Sequence, residues 1–170
     1  NAYLLPFLDE HLTFKRWMTW HYPTNTGHSK TNFTRSQHSI LFHVKGDSPL
    51  CFNKAAIALP YRNPTDKRIQ GRIVAGSAGR TPDDVFEFNI VKNVNKDKTL
   101  HPCQLPVPLV ETFVLASSRL GDLVLDPFGG SFTTAVAAKQ HGRNSISIEL
   151  DAEFCDAGKQ RLANVVSLFP

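Results

Sequence analysis

Residues 123–134, Leu-Val-Leu-Asp-Pro-Phe-Gly-Gly-Ser-Phe-Thr-Thr, constrain this chain more than any other stretch. A short apolar run ends in the acid Asp126, two glycines follow, and Ala135-Val136-Ala137-Ala138-Lys139-Gln140 then reads as a helix. Strand, glycine turn and helix form the unit from which open α/β sheets are built, and ligands sit at the carboxyl ends of such strands. Asp126 is expected at that end. Gly129 and Gly130 remove side chains so that a ligand can approach the backbone, and the helix turns its free N–H groups toward the same place. The hydroxyls of Ser131, Thr133 and Thr134 suit the start of the helix, as caps or as ligand contacts.

The segment Asn144-Ser145-Ile146-Ser147-Ile148-Glu149 alternates polar and apolar residues and reads as a second strand, with Glu149 placed 23 positions after Asp126. An acid about 20 residues beyond a glycine-rich turn accepts ribose hydroxyls in dinucleotide sites. The chain has no G-x-G-x-x-G, however, and the Asp126 carboxylate in front of the turn would repel a pyrophosphate. A ligand with a ribose, a cationic or amine-bearing end and no phosphate fits better. S-adenosylmethionine has those properties.

The segment from Asp126 to Thr134 resembles the D-P-F-x-G-S-G-T-T signature of the amino-group DNA methyltransferases, which modify adenine N6 or cytosine N4. His101-Pro102-Cys103-Gln104-Leu105-Pro106 is similar to the H-P-x-Q-x-P segment of that family, and Leu109–Ser118 to its linking helix. Ile148-Glu149-Leu150-Asp151 through Arg161-Leu162 resembles its closing strand and helix. The resemblance implies a Rossmann-like α/β sheet with helices on both faces. It also implies that S-adenosylmethionine is held by His101, Pro102, Asp126, Pro127, Phe128, Gly129, Gly130, Ser131, Thr133, Thr134, Glu149 and Leu150. On its own, His101 reads equally as a helix-start residue. Two positions depart from the pattern. Phe132 stands where the family has glycine, so its ring either crowds the cofactor or turns into the core. Ser147 replaces the glycine before the strand-end acid.

The net charge of +4 is uneven: residues 1–100 hold 14 Lys+Arg against 8 Asp+Glu, and residues 101–170 hold 5 against 7. A basic first half suits a polyanion such as double-stranded DNA. Phe14–Trp20 and His38–Lys45 read as strands, joined by a polar loop. They are similar to a W-x-K-x-N … H-E-x-I-L region of the resembled family, with Ser39 in place of Glu. Residues 48–100 read as irregular, with a short strand at Asp84–Asn89. Arg62, Lys67, Arg68, Arg72 and Arg80, on flexible basic loops, are the candidates for phosphate or base contact. The expected division is 1–45 as strands and loop of the catalytic half-sheet, 46–100 as a target-recognition region and 101–170 as the S-adenosylmethionine-binding region.

The family's catalytic tetrad, [D/N/S]-P-P-[Y/W/F], grips the target amine and stacks on the flipped base. No two prolines are consecutive in this sequence. In one subclass the tetrad lies N-terminal to every motif recognised here. The expectation is therefore a sheet completed by an N-terminal block or by a partner chain that carries the tetrad, with no catalytic residue in this chain. A split enzyme is favoured over a fragment of a single chain or a decayed or regulatory cofactor binder. Two other classes stay open: a non-catalytic DNA-binding module on this scaffold, and a fragment of a dinucleotide-dependent oxidoreductase. The three cysteines show no zinc spacing, and His38 and His43 would point to opposite strand faces, so no metal is expected. No apolar run approaches the length needed to span a bilayer, and a cytoplasmic location with no membrane partner is expected.

Overall fold

A computed structural model of the 170-residue chain describes residues 4–24, 29–92, 97–167 and 169. Helix α1 (Leu4–Asp9) leads into strands β1 (Thr13–His21) and β2 (Gln37–Val44). A 3-10 turn (Lys54–Ile57), helix α2 (Lys67–Val74) and strand β3 (Val85–Glu87) follow. The C-terminal part runs α3 (Val107–Ser117), β4 (Leu123–Asp126), α4 (Thr133–Gln140), β5 (Asn144–Ser147) and α5 (Ala152–Ala163).

The strands form two separate sheets among the described residues. One has the order β2-β1-β3, with β1 antiparallel to β2 and parallel to β3. The other is the parallel pair β4-β5, with Leu125 opposite Ile146 and Asp126 opposite Ser147. A parallel pair needs a crossover connection, and α4 supplies it. The expected strands over Phe14–Trp20 and His38–Lys45 are present within a residue or two, and β3 lies inside the expected Asp84–Asn89.

Helix α3 holds the parts together. Its Leu109 packs with Trp20 and Tyr22 against Ile40, Phe86 and Phe113, while Val110 and Val114 pack with Ala137 of α4 and Val124 of β4. The buried Trp20 ring satisfies its only donor by bonding the Phe88 carbonyl at 2.7 Å. At the end of α3, Asn53 donates to the carbonyls of Leu115 and Ser118, two groups the helix itself leaves unbonded. Helix α4 is rich in alanine because it lies between α3 and the parallel pair, where Ala137 and Ala138 have no exposed surface.

Two expectations need correction. Residues 48–100 are not wholly irregular: Lys67, Arg68 and Arg72 lie on α2, which Asp66 caps by accepting from the Arg68 N–H at 2.8 Å. They are therefore on a helix and not on flexible loops. Helices also do not cover both faces of the parallel pair among the described residues. Alternate residues of a strand face opposite ways. Val124 turns toward α3 and α4, whereas Leu123 and Leu125 remain 61% exposed, with Ile146 and Ile148 exposed beside them.

Candidate functional site

The site forms where β4 and β5 end. The Asp126 carbonyl accepts from the Ile148 N–H at 2.9 Å, and the Gly129 N–H bonds the Ile148 carbonyl at 2.7 Å, so the glycine turn is fastened to the chain leaving β5. Beside it, the Asp126 carboxylate accepts from the Phe128 N–H at 3.1 Å, which fixes its side chain at the strand tip. Gly130 has φ +51°, in the left-handed region that favours glycine. Its N–H points at Glu149 Oε2, 2.7 Å away, while Glu149 Oε1 accepts from the Asp151 N–H at 3.0 Å. These two donors, Asp151 first, hold the Glu149 carboxyl below the usual carboxylate range, and the positive character of His101 adds to the effect. Each oxygen keeps a free lone pair for a further donor.

The His101 imidazole stands over Gly130. A Cβ built on Gly130 would lie 3.1 Å from His101 Nε2, so any larger residue would push the ring aside by a few tenths of an ångström. The ring also meets Phe154 of α5 edge-on, with centroids 4.7 Å apart. Its loop is pinned by Gln104, a buried side chain that accepts from the Thr99 N–H and donates to the Asp97 carbonyl. Lys98 donates to the His101 carbonyl. Asp126, Gly129, Gly130, Glu149 and His101 thus converge from three separate stretches of sequence. Pro102, Pro127, Phe128 and Leu150 are exposed at the rim, Phe128 and Leu150 almost completely.

The hydroxyl residues are placed differently from their reading as helix caps. No side chain caps the start of α4. Ser131 and Thr133 are buried, their hydroxyls share a 3.0 Å hydrogen bond, and Thr133 reaches the Leu105 carbonyl. Arg161 of α5 donates to the Ser131 carbonyl at 2.8 Å and to the Thr133 hydroxyl at 3.0 Å. Burial lowers the Arg161 pKa, against a smaller opposing pull from Asp97. Thr134 sits half-buried in the first turn of α4. Phe132 turns its ring into the core and is only 7% exposed, so it does not crowd the rim. Sequence reasoning did not single out Gln104, Phe154 or Arg161 for this site. Gln104 and Arg161 lay within the matched motif segments, and that was their only signal. The Ser147 hydroxyl is buried without a hydrogen-bond partner, beside Gly129.

The basic candidates separate into two groups. Arg62 and Arg80 both pair with Asp83, and Arg68 pairs with its own cap, Asp66. Lys67 and Arg72 are exposed on α2 and enter no ion pair among the described residues.

A DNA methylase family model, that of the N6/N4 enzymes, matches residues 2–160. The chain belongs to that family. It is 33% identical over 163 residues to the type II methyltransferase M.HpaI of Haemophilus parainfluenzae, covering 95% of this chain and 49% of that protein. It is 31% identical over 166 residues to the DNA adenine methyltransferase YhdJ of Escherichia coli strain K12, covering 93% of this chain and 56% of that protein. The methylase chain thus spans about half the length of these curated relatives. Among solved structures, the M1.HpyAVI–SAM complex aligns with a TM-score of 0.70 at 25% identity, over 95% of this chain and 68% of that one. The PvuII cytosine-N4-specific DNA methyltransferase shares the fold, with a TM-score of 0.70 over 98% of this chain and 57% of that one, at 20% identity. The two partial sheets are therefore parts of a Rossmann-like methyltransferase sheet.

Proposed function

We propose that this chain is the cofactor-binding and DNA-contacting subunit of a split DNA methyltransferase, which moves a methyl group from S-adenosylmethionine to adenine N6 or cytosine N4. In this reading residues 1–45 complete the catalytic half-sheet, 46–100 contact DNA and 101–170 hold the cofactor. The observation that carries it is the convergence of Asp126, Gly130, His101 and Glu149 at the tips of β4 and β5.

The donor set suits S-adenosylmethionine. Glu149 is ionised at neutral pH and retains acceptor capacity for two ribose hydroxyls. Asp126 offers a carboxylate to the cationic, amine-bearing end. Phe128 and Leu150 present apolar surface at the rim, suited to a flat base. No phosphate-binding loop competes with this reading. When bound, the cofactor supplies an electrophilic methyl group on a sulfonium. The chain's own contribution is to position and orient, which converts a two-body encounter into a reaction within one complex. The groups that receive the target amine belong, in this reading, to a complementary polypeptide carrying the [D/N/S]-P-P-[Y/W/F] tetrad.

Cofactor binding has a defined pH signature. Glu149 has a depressed pKa in the folded protein, so its ionised form contributes fully at and above the ordinary carboxylate range and is lost as pH falls through the lowered value. Isothermal titration is expected to give an S-adenosylmethionine affinity that holds steady from neutral pH down to the usual glutamate pKa and weakens below it. Weakening that begins well above the usual glutamate pKa would instead assign control to another group.

For DNA, the unpaired cations matter most. Lys67→Ala and Arg72→Ala are each expected to lower the slope of log affinity against log salt by about 1, as one lost phosphate contact does. Arg68→Ala, whose guanidinium is shared with Asp66, is expected to change it less. Equal slopes in all variants would move the DNA contact away from α2. DNA binding without any S-adenosylmethionine binding would favour a non-catalytic module on the methyltransferase scaffold.

A further inference from the structure

We infer that Phe132 and Gly158 are a matched pair that sets the shape of the cofactor turn, so that α5 governs S-adenosylmethionine affinity through residues that do not touch it. The inference rests on the cofactor reading above. Phe132 has φ +57° and is the one non-glycine residue with positive φ among the described residues. That backbone conformation explains why the resembled motif has glycine at this position. A larger residue holds such a conformation only where its surroundings enforce it.

The surroundings are specific. A Cβ added at Gly158 would lie 2.5 Å from Phe132 Cγ and 2.7 Å from both Cδ atoms, so the ring rests on bare helix backbone. A Cβ on Gly129 would meet the same ring, at 2.9 Å from Cε1. Glycine inside a helix is unfavourable relative to alanine, and Gly158 is the buried residue of α5. Its presence there has a packing reason: it is the hollow that receives the ring.

The plug is tied into the turn by its own backbone. The Phe132 N–H donates to the Gly129 carbonyl at 2.7 Å, closing the turn, and its carbonyl accepts from Val136, starting α4. Arg161 is three residues after Gly158, on the same face of α5, and holds the Ser131 carbonyl. The turn from Gly129 to Phe132 is therefore held against α5 by an apolar and a polar contact together. Gly130, whose N–H orients Glu149, lies in that turn, directly before Ser131 and Phe132, which make the two contacts. Moving the ring moves the donor that aims the ribose-binding carboxylate. Phe132 is a positioning residue in this scheme.

The test is a double-variant cycle in the full chain, with its complementary half present, reading S-adenosylmethionine affinity by calorimetry and melting temperature in parallel. Gly158→Ala is expected to weaken binding about tenfold in the native background and less than about twofold in a Phe132→Gly background, since contacting residues couple. Equal effects in both backgrounds, or no effect in either, overturn the proposal. Should Gly158→Ala fail to fold, recovery of folding in the Phe132→Gly background is the required result, and failure there overturns it. Phe132→Leu then reads the cofactor arm with α5 intact: about fivefold weaker binding well below its melting temperature supports the pair, and native affinity refutes it. A native protein that binds no S-adenosylmethionine defeats the cofactor reading, and the pair's role with it. Native binding with unaffected variants defeats the pair alone.

Discussion

Glu149→Ala and Asp126→Ala are each expected to weaken S-adenosylmethionine binding strongly in a titration calorimeter, Glu149→Ala the more severely. The order follows from the geometry. Replacing Asp126 removes one charge-assisted acceptor at the tip of β4, worth about 1.5–3 kcal/mol, or roughly 10- to 150-fold in affinity. Replacing Glu149 removes an acceptor of the same kind and also frees the N–H groups of Gly130 and Asp151, which it holds at 2.7 and 3.0 Å. The turn then loses one of the two bonds that join it to the chain after β5, keeping that from the Gly129 N–H to the Ile148 carbonyl. The melting temperature should change only modestly, because Glu149 is no more than half-buried. Glu149→Gln should fall between the two, since its amide keeps one acceptor oxygen and loses the charge. Retained binding in both alanine variants would remove the cofactor from this site, and heat released with NAD in place of S-adenosylmethionine would favour an oxidoreductase.

Methyl transfer to DNA is expected to be all-or-none with respect to a second polypeptide. The 170 residues alone should transfer no methyl group, and adding a chain with the [D/N/S]-P-P-[Y/W/F] tetrad should restore transfer. On the proposed split arrangement, the parallel pair would supply a physical reason for association. Leu123, Leu125, Ile146 and Ile148 form an apolar face that no described helix covers. Covering apolar surface gains about 25 cal/mol per Å², and a contiguous exposed patch marks an interaction surface. Leu125→Asp should therefore block restoration by placing a charge in the middle of that face, while cofactor binding at the strand tips persists. Methylation by the isolated chain would refute the split arrangement.

Much of this site was legible because its chemistry is local. Strand, acid, glycine turn and helix follow one another within residues 123–140, and each declares itself by residue type. The second acid sits at the end of an alternating strand. Helix α2 was not legible because none of its residues is buried, so no core-facing stripe distinguishes it from a basic loop. Its local signals were Asp66 at the cap and the i, i+4 pair Ile69 and Ile73, interrupted by Gly71. The direction of the Phe132 ring could not be read either. An aromatic at a glycine position suggests obstruction, and only the hollow at Gly158, 26 positions away in sequence, shows where the ring goes. Likewise, Ser131 and Thr133 have the composition of a cap, but Arg161 and the Leu105 carbonyl turn them inward. Tertiary partners overrode the local preference in both cases.

Because none of the residues of α2 is buried, its exposed positions can change without disturbing the packing of α3 and α4. Substitution there is close to neutral for folding, as is usual for surface positions away from caps and glycines. On the reading proposed above, changes at Lys67 or Arg72 would alter the DNA contact while the proposed cofactor site at the tips of β4 and β5 stays constant.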